Sequence, residues 1–255
     1  MNAVKQGAPC AWNILAVDTS TDMLACALGR MEVDEAGNPC GLEMIASADQ
    51  MCRRHANEQL VSVIDGMLAQ CGMKREQLDA VLTGTGPGSF TGLRIGLATV
   101  EAMAYAWQCC LHGVDTLKAL AYNVQLEGMV LSPVLDAQKG NFYQALYEWK
   151  QGQLVELAPV AVVNVQQALE RIALQGMPAL LLGESQRLVK KLPEGLPSWL
   201  REAPEALRMP RASSVAWAAL AEFDPETDKE IFGLEPYYIR RSEAEELWEK
   251  KQQQQ

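Results

Sequence analysis

The sequence predicts an α/β fold made of two copies of one unit, in which three strands are followed by a helix, a strand and a second helix. The two halves repeat the same order of strand-like and helix-like segments. Each half also has an aspartate where its first strand turns into its second, Asp18 in the first half and Asp136 in the second. A chain of 255 residues is long enough for two such units, each with its own core.

The first half opens with a predicted hairpin, because an apolar run is interrupted by the polar turn 18–22 and then resumes. A charged, glycine-containing turn separates this hairpin from a third strand. The segment 55–72 has apolar residues at helical spacing and closes with Gly72. The strands are predicted at 12–17, 23–28, 42–46, 80–82 and 111–114, and the helices at 55–72 and 90–108.

The second half repeats this order. Its strands are predicted at 129–135, 141–149, 154–163 and 179–183, with a helix at 165–175 and another helical stretch after 183. We therefore expect an N-terminal subdomain at 12–114 and a C-terminal subdomain at 115–240. The segments 1–11 and 241–255 are expected to be tails outside these subdomains, and the extension to Ala11 and residues 252–255 are expected to be disordered.

A duplicated unit with paired acidic turns resembles the ribonuclease-H-like fold of the actin, hexokinase and heat-shock ATPase superfamily. That resemblance implies a nucleotide cleft between the halves, with the two turns facing phosphates and metal. The candidate residues of a vestigial cleft are Asp18, Thr19, Ser20, Gly86, Gly88 and Asp136. Two interpretations of the aspartates stay open, because each can contact a hydrated magnesium ion or accept turn amide hydrogens.

The glycine-rich stretch 82–96, LTGTGPGSFTGLRIG, does not match two common catalytic loops. A Walker phosphate loop requires a lysine after its last glycine, and no lysine lies between Lys74 and Lys118. A nucleophile elbow requires glycines two residues before and after the serine, but Ser89 has Pro87 and Thr91 there. With only two histidines in the chain, a serine hydrolase is disfavoured. We predict no catalytic residue and no metal site.

Composition limits the remaining classes of function. The net charge of −10 and the pI near 4.8 disfavour a surface that neutralises a row of phosphates, so any contact with nucleic acid would be held by a partner. The seven cysteines contain no Cys-x-x-Cys pair. No apolar run has the length of a membrane span and no signal peptide is recognisable, so we expect a cytoplasmic protein.

The helix at 90–108 has two apolar faces. One contains Leu93, Leu97 and Val100, and the other contains Gly92 and Gly96. Because small residues let a second backbone come close, we interpret the glycine face as a surface for another polypeptide. The alternative is a helix enclosed on both sides within its own domain.

Four segments identify a resemblance that covers nearly the whole chain. They are ILAVDTST at 14–21, GPGSFTGLRIG at 86–96, VLDAQKGNFY at 134–143 and EPYYIR at 235–240. With these segments the sequence resembles the TsaB family, formerly called YeaZ, which is required for making threonylcarbamoyladenosine beside the anticodon of tRNAs that read codons starting with A.

The resemblance implies a non-catalytic scaffold that binds and activates its paralogue TsaD, the subunit that transfers the threonylcarbamoyl group. It also implies TsaE as a further partner, a homodimer when the chain is alone, and contact with tRNA only through the complex. The chain would require no cofactor of its own, whereas the complex uses ATP and magnesium.

The same resemblance implies that the partner surface lies on the helices at 55–71 and 90–107. The interface residues are expected to be His55, Gln59, Leu60, Val63, Met67, Gly92, Ile95, Gly96, Thr99 and Met103. Gln59 stands where TsaD-like proteins have the second histidine of a metal pair, and Glu184-Ser185 follows Gly183 without the second glycine of nucleotide-binding relatives. A free-standing ATPase or kinase that uses Asp18 and Asp136 is the alternative, and a peptidase is disfavoured.

Overall fold

The computed structural model describes residues 11–34, 38–52 and 56–239, and of residues 56 and 57 it describes the backbone alone. Most of the predicted tails and the predicted interface residue His55 lie outside these residues. In the first half the elements are β1 (Ala11–Asp18), β2 (Met23–Val33), β3 (Pro39–Met51), α1 (Ala56–Gln70), β4 (Ala80–Gly86), α2 (Phe90–Trp107) and β5 (Cys110–Asp115). Then follow α3 (Thr116–Ala121), β6 (Val130–Asp136), β7 (Phe142–Lys150), β8 (Gln153–Val163), α4 (Val165–Ala173), β9 (Ala179–Gly183), α5 (Ser185–Val189), β10 (Leu200–Glu202), α6 (Glu205–Arg208) and α7 (Ala212–Ala219).

Within this part of the chain the strands form two five-stranded sheets of matching topology. The first sheet has the order β3-β2-β1-β4-β5 and the second has the order β10-β9-β6-β7-β8. In the first sheet β1, β2 and β3 pair antiparallel, whereas β4 pairs parallel with β1 and β5 pairs parallel with β4. In the second sheet β6, β7 and β8 pair antiparallel, whereas β9 pairs parallel with β6 and β10 pairs parallel with β9. The predicted duplication, the hairpins and the order of strands and helices along the chain are therefore confirmed.

The first sheet is covered by helices on both faces. On one face α1 and α2 bury a cluster that includes Leu15, Ile64, Val81 and Val100. The apolar residues of α1 recur at Leu60, Ile64, Met67 and Leu68, so this side of the helix meets the sheet, and the opposite side is left to solvent.

The other face of the first sheet is covered by α7, which comes from the far end of the chain. Ala212, Ala216 and Phe223 are buried against Ile14 and Ala25. The following segment stays on the first half, where the backbone N–H of Leu111 donates to the Asp228 carbonyl at 2.9 Å. The predicted C-terminal subdomain 115–240 therefore does not pack as one continuous unit, because residues 212–238 return to the first sheet.

The second half has its own core, to which α3 contributes. Leu117 and Leu120 of α3 are buried with Leu131 and Tyr147 on one face of the second sheet, and α4 covers the other face. Because α3 touches both α7 and the second sheet, it connects the two halves. Among the described helices none is long and apolar enough to cross a membrane.

Candidate functional site

The β1–β2 turn, where a nucleotide-binding relative would meet phosphates, is packed inside the first half. Asp18 is 0% exposed, and its Oδ1 accepts hydrogen bonds from the Ser20 backbone N–H at 2.9 Å and from the Ser20 hydroxyl at 2.6 Å. The Thr116 hydroxyl donates to Asp18 Oδ2 at 3.4 Å. Burial raises the pKa of the Asp18 carboxyl, although these hydrogen bonds oppose the shift. Asp18 therefore accepts hydrogen bonds within the turn, which is the second of the two roles predicted for it.

The glycine loop between β4 and α2 closes over this turn. The backbone N–H of Ser89 donates to the Ser20 carbonyl at 2.6 Å. A Cβ added at Gly88 would lie 2.8 Å from Ser20 Cβ, and one at Gly84 would lie 3.0 Å from Asp18 Cγ, so both positions require glycine for close approach. Gly86 and Pro87 are buried in the same loop. The predicted cleft residues Asp18, Thr19, Ser20, Gly86 and Gly88 thus meet, but in a closed junction.

The first turns of α2 continue this junction. The Thr19 hydroxyl donates to the Gly92 carbonyl at 3.0 Å, and a Cβ added at Gly96 would lie 3.0 Å from Thr19 Cβ and closer still to Thr19 Oγ1. Gly92 and Gly96 are both buried. The expectation that these glycines face another polypeptide is therefore wrong, because the close backbone approach that they permit is to Thr19 of the same chain.

Asp136, the aspartate of the second turn, is neutralised within its own half. Its carboxylate forms an ion pair with Arg187 and accepts from the Gln138 backbone N–H at 2.9 Å, while its own N–H donates to Glu184 at 2.8 Å. Burial raises the pKa of Glu184, and the carboxylates of Asp136 and Asp22 raise it further. Within the described ranges no three His, Cys, Asp or Glu side chains are grouped as metal ligands.

A second feature of the first half is the outer side of α1 and α2, which pack against each other. We call it the two-helix face. Its exposed or partly exposed positions are Gln59, Val63, Gly66 and Gln70 on α1, with Ile95, Ala98, Thr99, Ala102, Met103 and Ala106 on α2. No residue of this set is charged, and most are small or apolar.

Five of the ten predicted interface residues lie on the two-helix face, namely Gln59, Val63, Ile95, Thr99 and Met103. Leu60 and Met67 do not, because they are buried in the core under α1. Gly92 and Gly96 do not lie on this face either, because they are enclosed at Thr19. Four of the ten residues, Leu60, Met67, Gly92 and Gly96, are therefore not part of the exposed surface. What binds to the remaining five stays a prediction.

Two small residues of this face, Ala98 and Ala102, were not predicted from the sequence. Together with Ala106 they recur every four residues on the exposed side of α2. On α1, a Cβ added at Gly66 would meet nothing within 4 Å. The Ala-x-x-x-Ala-x-x-x-Ala spacing was visible in the sequence and could have indicated this stripe. The face therefore does permit close approach of a second helix, although not at the predicted glycines.

Residues near the C-terminal end of the described chain contact the edge of the two-helix face. Arg94 donates from Nε to the Tyr238 hydroxyl at 2.9 Å, and its guanidinium lies 4.0 Å from the Phe90 ring centre. The Tyr237 N–H donates to the Thr85 carbonyl at 2.8 Å. These contacts hold Tyr237 and Tyr238 beside the N-terminus of α2, and they place the positive charge of Arg94 at the edge of the face.

Comparison with known proteins identifies the family. The family model described as TsaD, tRNA N6-adenosine threonylcarbamoyltransferase, matches residues 48–248. The chain belongs to the TsaD family. The match covers both the two-helix face and the second acidic turn.

The chain is also similar to several proteins named tRNA threonylcarbamoyladenosine biosynthesis protein TsaB. The Bacillus subtilis protein is 29% identical over 238 residues, covering 92% of this chain and 97% of the relative. The Escherichia coli protein is 29% identical over 138 residues, about half of each chain at 53% and 54%. These similarities confirm the resemblance to TsaB.

A solved structure agrees with the sequence comparisons. It is a Pseudomonas aeruginosa protein described as uncharacterised with similarity to peptidase YEAZ. It is 26% identical, has a TM-score of 0.68, and the match covers 90% of this chain and 100% of that one. The YeaZ structure from the same organism has a TM-score of 0.65. The predicted duplicated ribonuclease-H-like fold is confirmed.

Proposed function

We propose that the chain is a non-catalytic subunit that binds TsaD and activates it for the formation of threonylcarbamoyladenosine in tRNA. The relatives named TsaB carry this biosynthetic role in their names, and the family model is that of the transferase itself. The proposal includes a cytoplasmic location, a homodimer when TsaD is absent, and TsaE as a further partner. ATP and magnesium would be used by the complex, and tRNA would be held mainly by TsaD.

The observation that carries the proposal is the two-helix face. Ile95 is 45% exposed at its centre, with uncharged small residues around it, so a partner helix could approach closely with little side-chain ordering. A surface without charge suits a protein partner better than a nucleic acid, which requires lysines and arginines at its phosphates. TsaD, a paralogue in the same family, is the partner that we propose for it.

The closed β1–β2 turn supports a non-catalytic role. A phosphate-contacting turn must present free backbone N–H groups and an accessible carboxylate. Here the Ser20 N–H donates to Asp18, the Ser20 carbonyl accepts from Ser89, and Asp18 has no exposed surface. The alternative, a free-standing ATPase or kinase, would require this junction to open.

The direct test of binding is an arginine placed on the face. Ala102→Arg puts a long charged side chain where close approach is proposed, and arginine is nearly as good a helix former as alanine, so the fold should be retained. We expect affinity for TsaD, measured by calorimetry, to fall at least about tenfold because the charge would be desolvated without a partner. Ala173→Arg, on an exposed position of α4, is the matched control and should bind normally.

The test of activation is reconstitution. TsaD, TsaE and a source of threonylcarbamoyl-adenylate should modify tRNA only when the chain is added, and the Ala102→Arg variant should fail to support modification. Modification at the full rate without the chain would refute the proposal. Micromolar binding of ATP with magnesium by the isolated chain would instead favour the ATPase or kinase.

A further inference from the structure

A cleft lies between the two halves, on the side where the C-terminal segment crosses from one half to the other. Its volume is about 640 Å³, within the range of small-molecule sites. The ends of β4 and β5, the start of α3, strands β7 and β8 and residues 234–237 line it. Part of the EPYYIR segment thus forms one wall, a structural role that the proposed function does not use.

The charges that line this interdomain cleft are mostly negative. Asp115, Glu156, Glu222 and Glu235 face it, together with Lys118. Lys118 forms an ion pair with Glu222, so its charge is already compensated. The cleft is therefore an unfavourable place for a nucleotide or another anion and a favourable one for a cation.

The hydroxyl of Tyr147 faces the same space. The Tyr147 side chain lines the cleft and is 3% exposed, and no hydrogen bond joins its hydroxyl to another residue within the described ranges. Because the hydroxyl is not among the fully buried polar atoms that lack a partner, it remains accessible from the cleft and is available to a ligand. Glu156 lies directly opposite Tyr147 on the neighbouring strand β8, which puts the carboxylate and the phenol on the same side of the sheet.

Asp115 closes the cleft from the first half. One carboxylate oxygen accepts from the Lys118 backbone N–H at 2.8 Å and so begins α3. Burial raises the pKa of Asp115 to about 6, and the negative charge of Glu156 acts in the same direction against these hydrogen bonds. Burial and the surrounding carboxylates also raise the pKa of Tyr147, so its hydroxyl is in a negative potential.

We propose that this cleft binds an alkylammonium or alkylguanidinium group, presented by a free diamine or by the lysine or arginine side chain of another protein. The carboxylates of Glu156 and Asp115 and the phenol oxygen of Tyr147 accept hydrogen bonds from the cationic head. Leu154 and Val160 pack against the methylene stem. The site is separate from the two-helix face, so the proposal does not depend on binding of TsaD.

The test uses the full chain in calorimetry at pH 7.5 and low salt, where Asp115 is ionised. We expect 1,4-diaminobutane or Nα-acetyl-lysine methylamide to bind with one molecule per chain, and 1,4-butanediol, which lacks the charge, not to bind. Binding of the diamine indicates a free amine as the ligand. Binding of the lysine derivative alone indicates a side chain from a protein partner.

Three variants then test the site itself. Glu156→Gln removes one charge and should weaken binding about fivefold. Tyr147→Phe removes only the hydroxyl and should weaken binding about tenfold, with an unchanged melting temperature because that hydroxyl makes no internal bond. Glu43→Gln, on the exposed edge strand β3 of the other sheet, is the matched control and should bind as the original chain does.

Three results would overturn the proposal. The first is that neither amine binds. The second is that 1,4-butanediol binds as well as the diamine, which would make the cleft a site for apolar stems only. The third is that Glu43→Gln weakens binding as much as Glu156→Gln, which would attribute the affinity to the overall negative charge.

Discussion

The junction between α2 and the β1–β2 turn predicts a large effect of a single methyl group at Gly96. In Gly96→Ala the new Cβ would lie 3.0 Å from Thr19 Cβ and 3.1 Å from Thr19 Cγ2, and Thr19 is only 3% exposed. Overpacking of this kind costs about 1–3 kcal/mol. The new Cβ would lie closest to Thr19 Oγ1, so the hydrogen bond from the Thr19 hydroxyl to the Gly92 carbonyl would also be lost, which adds about 1 kcal/mol. The better helix propensity of alanine returns about 1 kcal/mol, so the expected net loss is about 1–3 kcal/mol.

The matched control is Gly66→Ala in α1, another helical glycine but with nothing within 4 Å of the added Cβ. This variant should gain up to about 1 kcal/mol from helix propensity alone. Urea titration followed by circular dichroism gives both free energies of unfolding. Opposite signs are expected, with the two free energies of unfolding about 1–4 kcal/mol apart. If both substitutions stabilised the protein equally, Gly96 would not be enclosed by Thr19 and the interpretation of the junction would be refuted.

Three further predictions concern the cleft and the connection between the halves. The free energy of unfolding should fall as the pH rises from about 4 to about 6, because folded Asp115 holds its proton while the unfolded carboxyl, with its ordinary pKa of 3.8, loses it. This fall should be smaller by about 3 kcal/mol in Asp115→Asn, because asparagine does not ionise. Its amide oxygen can still cap the N-terminus of α3. An equal fall in both proteins would contradict the raised pKa of Asp115. Lys118→Met removes the cation that lines the cleft and should tighten diamine binding about fivefold in the same calorimetry, whereas weaker binding would mean that the lysine orients the site. Phe223→Ala should cost about 3–5 kcal/mol in urea unfolding, because this 4% exposed ring packs against Trp12, and a loss under about 1 kcal/mol would show that the segment after α7 contributes little to the first half.

Most of the fold could be predicted because its signals are local. The strands alternate or form short apolar runs, and α1 and α2 show helical spacing over four or five turns. The return of α7 to the first sheet could not be predicted in this way. Its contact residues are alanines such as Ala212 and Ala216, which meet alanines such as Ala25. The small apolar side chains of these alanines give no sequence pattern that would indicate packing on the first sheet and not on the second.

The candidate site was predicted in part for a related reason. The glycines at 92 and 96 correctly indicated a close approach to the backbone of α2. The sequence could not identify what approaches, because Thr19 lies 73 residues before its hydrogen-bond partner Gly92. The same helix carries a second small-residue stripe through Ala98, Ala102 and Ala106. Periodicity finds both stripes, and only the tertiary structure decides which one is covered.

The covered stripe affects what the open stripe can do. Gly92 and Gly96 let the β1–β2 turn contact the backbone of α2 directly, so the first two turns of the helix are fixed by Thr19 and by the cap at Ser89. A helix that is fixed in this way presents its outer side in one orientation, and a rigid surface loses less entropy on binding than a flexible one. In a nucleotide-binding relative the turn must instead accommodate phosphates as they enter and leave. The contacts that close the turn therefore also fix the orientation of the two-helix face, the surface that we propose for TsaD.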